Sequence, residues 1–429
     1  MLPRRSLCAI ALLCSLAGCA QPFGGGSAAD ATAPGRNFAQ EGTENPSEVI
    51  RSLSTRRALL QPGTPLAEVS EAAIAASARA AEAELTSAKL RAVAASKNWL
   101  PTLGPSVSLT DLGDLVAGLL IEQVLFDNGR RKAERAFAAA DVEVAAVTFS
   151  ADINTRVETA AGLYVAALRG EEKAAYGERA LTRMQAFRRI VQGRVDGGLS
   201  DRSDLNVTDS KISGLRTAAN TARDAATAAR AELHAMTGRQ FPVRPAALQI
   251  APLPPEGEFL SELKAGAEAS RAIAGAKMAR AGLLPQISAA GNVTTDGSGA
   301  GLTLGMAQPL GLGTPAALKA QEAAKEAARR QVGEAREDAR RSRARLTQRL
   351  ASFRRQESET AALVARSRET YRLFKAQFEA GQRPVMEVIQ VYEELVRREQ
   401  ALIDAKYEVV LTQLELAREM GLLADGDRI

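Results

Sequence analysis

The chain repeats itself, and the repeat limits its fold more than any other feature. Two halves match at an offset of about 183 residues, and self-similarity at a fixed spacing marks a structure built from copies of one unit. Leu100-Pro101 closes a helical pattern and opens a strand-like one, and Leu284-Pro285 does the same. Gly198 pairs with Gly381, and Gly238 with Gly421, at one spacing. Between those glycines Leu205, Ile212, Ala219, Ala226 and Leu233 fall every seventh residue. Val388, Leu395, Leu402, Val409 and Leu416 follow in the same register. Each half reads as helix, strand pair, very long helix, turn and long helix.

The patterns predict helices over about 65–99, 129–196 and 201–237 in the first half, and over 257–283, 314–380 and 384–420 in the second. At 1.5 Å per residue the 314–380 helix reaches on the order of 100 Å, where globular helices average about three turns. Its expected apolar seam is mostly small: Ala320, Ala323, Ala327, Val332, Ala335 and Ala339, then Leu346, Leu350 and Phe353. Small seams allow close approach, and seven-residue spacing implies left-handed supercoiling. Low aromatic content, 4%, suits close-packed long helices better than a globular core. Heptads alone equally describe a soluble antiparallel coiled coil with a purely structural role.

The segments between the helices separate these readings. Ile287, Ala289 and Val293 alternate with Ser288, Asn292 and Thr294 along 287–295. Asp296-Gly297-Ser298-Gly299 supplies a turn, after which Leu302, Leu304 and Met306 alternate with Thr303, Gly305 and Ala307. This is a hairpin with one apolar and one polar face. The first half is less regular: Ser106, Ser108 and Thr110 alternate with Val107 and Leu109, then comes the apolar run Leu115–Phe126. Four strands cannot close a membrane barrel, and lipid tolerates no open sheet edge. Three protomers supply twelve strands, an even count compatible with outer-membrane barrels. The alternative is a pair of hairpins capping a soluble bundle, and the lack of an aromatic girdle keeps it open, with Phe126 alone near these strands.

The amino terminus carries its own signal. Arg4 and Arg5 precede a short apolar run, Cys8–Ala17, and Leu16-Ala17-Gly18-Cys19 closes it. Such a run is a signal-peptide core and is too short to span a bilayer. The ending resembles a bacterial lipobox, which implies cleavage before Cys19 and acylation of its thiol and new α-amine. The other reading is an ordinary signal peptide whose cleavage site contains a cysteine. Ala20, in place of Asp, favours the outer membrane over inner-membrane retention. All three cysteines, Cys8, Cys14 and Cys19, lie in this leader, so no disulfide, zinc site or thiol nucleophile is expected in the mature chain. Residues 20–45, rich in Gly, Ala, Ser and Pro, read as a tether.

The sequence carries no catalytic constellation. Loss of the leader lowers the net charge from +5 to +3, and balanced charge on long helices is a solvated surface, not a nucleic-acid footprint. His234 is the only histidine, and no P-loop or dinucleotide fingerprint occurs. The expectation is no enzyme, no metal and no cofactor beyond covalent lipid on Cys19.

Asn98-Trp99-Leu100-Pro101 and Gly282-Leu283-Leu284-Pro285-Gln286 before the strands, Gln123-Val124-Leu125-Phe126-Asp127-Asn128-Gly129-Arg130 after them, and the weaker Gln308-Pro309-Leu310-Gly311 resemble the TolC-type outer-membrane efflux and secretion channels over nearly all of residues 47–421. The resemblance implies a mainly α fold: two tandem helical-hairpin repeats forming a long periplasmic α-barrel, with short β-hairpins completing a trimeric β-barrel in the lipid. It implies domains at 1–18 (signal peptide), 19–46 (lipidated linker), 47–240 (first repeat), 241–256 (inter-repeat linker), 257–421 (second repeat) and 422–429 (tail).

The same resemblance places a periplasmic gate at the tip. Arg383 corresponds to a basic gate residue that bonds to the neighbouring hairpin near Ser203 and Asp204. Glu387 corresponds to the upper of two acidic rings, whereas Gln390 stands where the second acid is common and Phe378 replaces a frequent tyrosine. Each gate residue also reads as an ordinary surface charge at a helix start, where acids suit the helix dipole. The turns Gly197-Gly198-Leu199-Ser200 and Gly381-Gln382 are expected to dock a periplasmic adaptor. The implied partners are two further copies of the chain, that adaptor, an inner-membrane pump or ABC transporter, and outer-membrane lipid. The implied activity is passive export, for efflux or type I secretion. Alternatives are a periplasmic adaptor, which predicts one hairpin and a β-rich flanking region, and a helical lipoprotein without a pore.

Overall fold

The computed structural model describes residues 47–77, 80–109, 115–242, 248, 250–255, 257–294, 297–306 and 311–428. The leader, Cys19, the tether, Thr110, Thr295, Asp296, Ala307 and Gln308-Pro309-Leu310 lie outside the described residues. The elements are α1 (Glu48–Ser54), α2 (Pro65–Ala75), α3 (Ala80–Ser96), β1 (Thr102–Leu109), β2 (Leu115–Phe126), α4 (Arg130–Asp196), α5 (Arg202–Thr237), α6 (Leu260–Gly282), β3 (Gln286–Thr294), β4 (Gly297–Gly305), α7 (Thr314–Glu379) and α8 (Val385–Glu419). Helices α4 and α7 run for 67 and 66 residues, about 100 Å each. Among the described residues no helix is long and apolar enough to cross a membrane.

The repeat holds at the level of single hydrogen bonds. The α4–α5 turn closes with Leu199 N–H donating to Arg194 O at 2.7 Å, and the α7–α8 turn with Gln382 N–H donating to Gln377 O at 2.8 Å. Gly198 and Gly381 take the left-handed backbone that this helix ending requires, at φ +68° and +74°. The predicted ladders are the buried faces of α5 and α8: Ala226 and Val388 are fully buried, and Leu205 and Leu402 partly so.

Three details differ from the sequence patterns. The expected 65–99 helix is two, α2 ending at Ala75 and α3 starting at Ala80, with the Ser77 N–H and hydroxyl both donating to Ile74 O just past α2. Helix α1, not anticipated, is started by the Ser47 hydroxyl accepting from Ile50 N–H. On α7, Ala320, Ala323 and Ala327 are exposed, whereas Ala328, Ala339, Leu346 and Leu350 are buried. Helix α7 packs against α6 and α8 both, so its contact stripe is not one heptad column.

The core has two main parts. A central cluster joins Leu66 and Val69 of α2, Val147, Val157 and Tyr164 of α4, and Tyr407 and Leu414 of α8. Around it Leu59 N–H donates to Leu422 O, Ala251 N–H to Leu59 O, and the Arg56 guanidinium to Met420 O and Glu258 O. These bonds fasten the start of the folded body, the inter-repeat linker and the chain's end into one belt. A second cluster near the tip contains Met184, Phe187, Val191, Ile212, Tyr371, Val388, Ile389 and Tyr392. Between the two, Gly170 and Gly177 let α5 press against α4. A Cβ on Gly170 would stand 2.6 Å from Ala222 O, and one on Gly177 2.9 Å from the Ala219 methyl.

The four strands form one antiparallel sheet in the order β1-β2-β3-β4. Cross-strand rows on one face read Leu103–Ile121–Gly291–Ala300 and Pro105–Leu119–Val293–Ser298, with Ala289–Leu302 and Ile287–Leu304 beyond. The opposite face reads Thr102–Glu122–Ala290–Gly301, Gly104–Leu120–Asn292–Gly299 and Ser106–Gly118–Thr294–Gly297. Leu103, Val107, Val293, Leu302 and Leu304 of the first face are all more than half exposed in the single chain. Met306 falls just past β4.

Candidate functional site

Two places carry the candidate residues: the strand-to-helix junction and the double-turn tip. At the junction, the segment Asp127-Asn128-Gly129-Arg130 works as a corner. The Asp127 carboxylate accepts from Gly129 N–H and Arg131 N–H at 3.0 and 2.8 Å, satisfying amides that a helix start leaves open. Asn128, the one non-glycine at positive φ among the described residues (+53°), donates to Pro285 O at 2.7 Å. That bond ties the first repeat's corner to the second repeat's first strand. Across the same junction Asn98 donates to Glu134 and Arg131 O, and Gln123 donates to Trp99 O at 2.8 Å. Trp99, Leu125 and Phe126 are more than half exposed there.

At the tip, Gly197, Gly198, Leu199, Gly381 and Gln382 are exposed and Ser200 is half-buried, accepting from Arg194 at 3.3 Å. Arg383 and Glu387 are brought together: the guanidinium donates to Glu387 Oε2 and to Gln377 Oε1, both at 2.5 Å, and lies 3.9 Å from the Phe374 ring centroid. All of these partners belong to Arg383's own hairpin. Ser203, exposed, and Asp204, half-buried at the start of α5, are not among them in the single chain. The i,i+4 spacing on one short turn explains this, since Glu387 competes for the guanidinium before any other hairpin is reached. Gln390 is exposed and Phe378 packs against the tip cluster.

The two hairpins are joined higher up, by residues that sequence patterns did not single out. Arg183 of α4 donates to the Tyr371 hydroxyl at 3.2 Å and lies about 6 Å from the rings of both Tyr371 and Tyr392. Phe187 meets Tyr392 edge-on at 5.9 Å between centroids. The hydrogen bond to Tyr371 pushes the Arg183 pKa up, and burial pushes that of Tyr392 up to about 12. Further along, Lys173 pairs with Asp404, Arg169 with Glu408, and Glu172 accepts from Lys406 and Tyr407. The sequence did hold a signal for this seam: all five tyrosines lie on α4, α7 and α8. Lys211 of α5 pairs with Glu393 of α8, beside a shallow groove lined by Val207, Ser210, Gly214 and Leu215. Among the described residues no group of His, Cys, Asp and Glu could hold a metal.

A scan of protein families matches residues 263–422 to the outer membrane efflux protein family. No curated protein matches the sequence. Most of the chain shares its fold with solved structures at low identity. A membrane protein from Pseudomonas aeruginosa is similar at TM-score 0.73 and 16% identity, over 92% of this chain and 98% of that one. The open-state MtrE outer membrane channel of Neisseria gonorrhoeae gives 0.71 and 16%, over 85% and 91%. The outer membrane protein VceC of Vibrio cholerae gives 0.69 and 15%, over 83% and 96%. The matched segment runs from α6 to just past α8, so it contains Arg383, Glu387 and both strands of the second hairpin. The first repeat supplies the matching half of the same architecture.

Proposed function

We propose that three copies of this chain form a passive exit duct across the outer membrane, anchored by lipid on Cys19 and supplied by an inner-membrane pump through a periplasmic adaptor. One observation carries the reading: a four-stranded sheet with one apolar and one polar face and two unpaired edges stands on helices about 100 Å long. A sheet of that kind leaves β1 and β4 with open hydrogen-bonding edges and exposes a run of apolar side chains. Pairing β4 of one copy with β1 of the next removes both costs at once, and three copies give twelve strands. The apolar face then meets lipid and the polar face lines water.

The tip fits the remaining parts of the reading. Arg383 and Glu387 sit at the turn of the second hairpin, where three copies would converge on one axis and Glu387 would favour cations. The exposed turns at Gly197–Ser200 and Gly381–Gln382, with the Lys211–Glu393 groove above them, offer helical hairpins of an adaptor a ridged surface with paired charges. Two hairpins and no separate β-rich domain among the described residues argue against an adaptor. The cargo, a small molecule or a secreted polypeptide, is set by the pump in this scheme.

The test is electrical. Purified full-length trimers in planar bilayers should give discrete conductance steps, and cysteines at Ser200 or Gln382 should crosslink to an adaptor. Well-folded, reconstituted protein that never conducts would overturn the duct reading.

A further inference from the structure

The four strands are almost bare of charge. Glu122 is the only ionisable side chain in β1, β2, β3 and β4. Its register places it on the polar face, in a row with Thr102, Ala290 and Gly301. The next row on that face offers Gly104, Leu120, Asn292 and Gly299, so the carboxylate stands among neutral and mostly small groups. Thr102 donates to the Glu122 backbone oxygen, and no hydrogen bond or ion pair to the carboxylate occurs among the described residues. At the start of α4, Arg130 pairs with Glu134 and Arg135 with Asn98, and Arg131 and Lys132 follow the strand without an ion pair to Glu122 among the described residues.

We infer that Glu122 determines charge selectivity at the strand end of the duct. The inference rests on the trimeric duct reading, in which three copies of Glu122 form a ring where the helical duct opens into the barrel. A ring of fixed carboxylates in a low-dielectric wall raises the local concentration of cations and lowers that of anions. The Debye length is about 8 Å at physiological salt and about 30 Å at 0.01 M, so the ring acts across more of the lumen as salt falls. It is separate from Glu387, which lies at the opposite end of α7.

Reversal potentials of full-length trimers in a KCl gradient test this. At low salt the wild type should prefer K⁺ over Cl⁻, and Glu122→Gln should reduce that permeability ratio by about twofold or more, with a smaller change at high salt. Glu122→Asp should keep most of the preference. Glu387→Gln, measured alongside, reports the tip separately. A conducting Glu122→Gln trimer with the wild-type ratio at low salt overturns the inference while leaving the duct reading intact. A wild type that is folded and never conducts overturns both.

Discussion

Tyr407 of α8 donates its phenol to Glu172 of α4 at 2.6 Å, a bond between the two repeats made by a tyrosine that is fully buried. The same carboxylate accepts from Lys406 at 2.9 Å. Burial first, and then the bond to Glu172, push the Tyr407 pKa upward, because ionising the phenol would set two negative charges against each other in a poorly solvated seam.

Stability should therefore fall at alkaline pH. Tyr407 and Tyr392 are both held neutral above the ordinary phenol value of about 10, Tyr392 up to about 12. A raised folded-state value favours the protonated form, so the contribution is complete below about pH 10 and is lost as pH rises through the folded values. Denaturation midpoints measured between about pH 9 and 12 should drop for the wild type. The drop should be shallower for the double variant Tyr392→Phe/Tyr407→Phe. At neutral pH Tyr407→Phe alone should cost about 1.5–3 kcal/mol, the range for a hydrogen bond to a charged group.

The close contact of α4 with α5 makes an opposite prediction to helix propensity. In an isolated helix, Gly→Ala gains about 1 kcal/mol. At Gly170 the added methyl meets Ala222 O and the Ala226 methyl, so Gly170→Ala should instead destabilise by about 1–3 kcal/mol, as overpacking does. Gly193→Ala, on the same helix with open space around its Cβ position, should be neutral or stabilising. Chemical denaturation of the three proteins compares them directly.

The two faces of the sheet can be told apart by one charge. Leu302→Lys on the apolar face should impair assembly, with a cost of about 2–4 kcal/mol where the position lies at the middle of the bilayer. Thr303→Lys, the next residue and on the opposite face, should assemble normally and alter conductance. Trimer yield from outer membranes reads the first effect and bilayer recording the second.

Removing the Arg383 side chain should loosen the tip. Arg383→Ala frees Glu387 and uncovers the Phe374 ring, and the channel should open more often or to higher conductance. Arg183→Ala, which removes the tie from α4 to Tyr371 and Tyr392, should do so as well. An unchanged conductance in Arg383→Ala would assign Arg383 to shaping the turn alone.

Much of the fold was legible because it is periodic. A seven-residue ladder on Ile212, Ala219 and Ala226 announces a buried helix face before any partner is known. The alternation of Ile287, Ala289 and Val293 with polar residues likewise announces a two-faced strand. The break between α2 and α3 was not legible, since the alanine-rich pattern runs on through it. The seam of α7 was misplaced at Ala320, Ala323 and Ala327, because all of its faces offer alanine and two different partner helices choose among them. Of the candidate site, the turns could be found from glycines at equal spacing. The pairing of Arg383 with Gln377 and Phe374 could not, because they are near it only once the hairpin has closed.

The sequence by itself determined the tandem repeat, the lengths of α4 and α7, the two-faced hairpins and the lack of catalytic motifs, since each is written in spacing along one chain. Only the tertiary structure decided which elements meet: Asn128 with Pro285, Arg183 with Tyr371 and Tyr392, Tyr407 with Glu172, and Gly170 with Ala222. These pairs are far apart in sequence, and the bonds depend on where helices about 100 Å long are laid side by side. Periodicity fixes which face of a helix is buried; packing fixes what it is buried against.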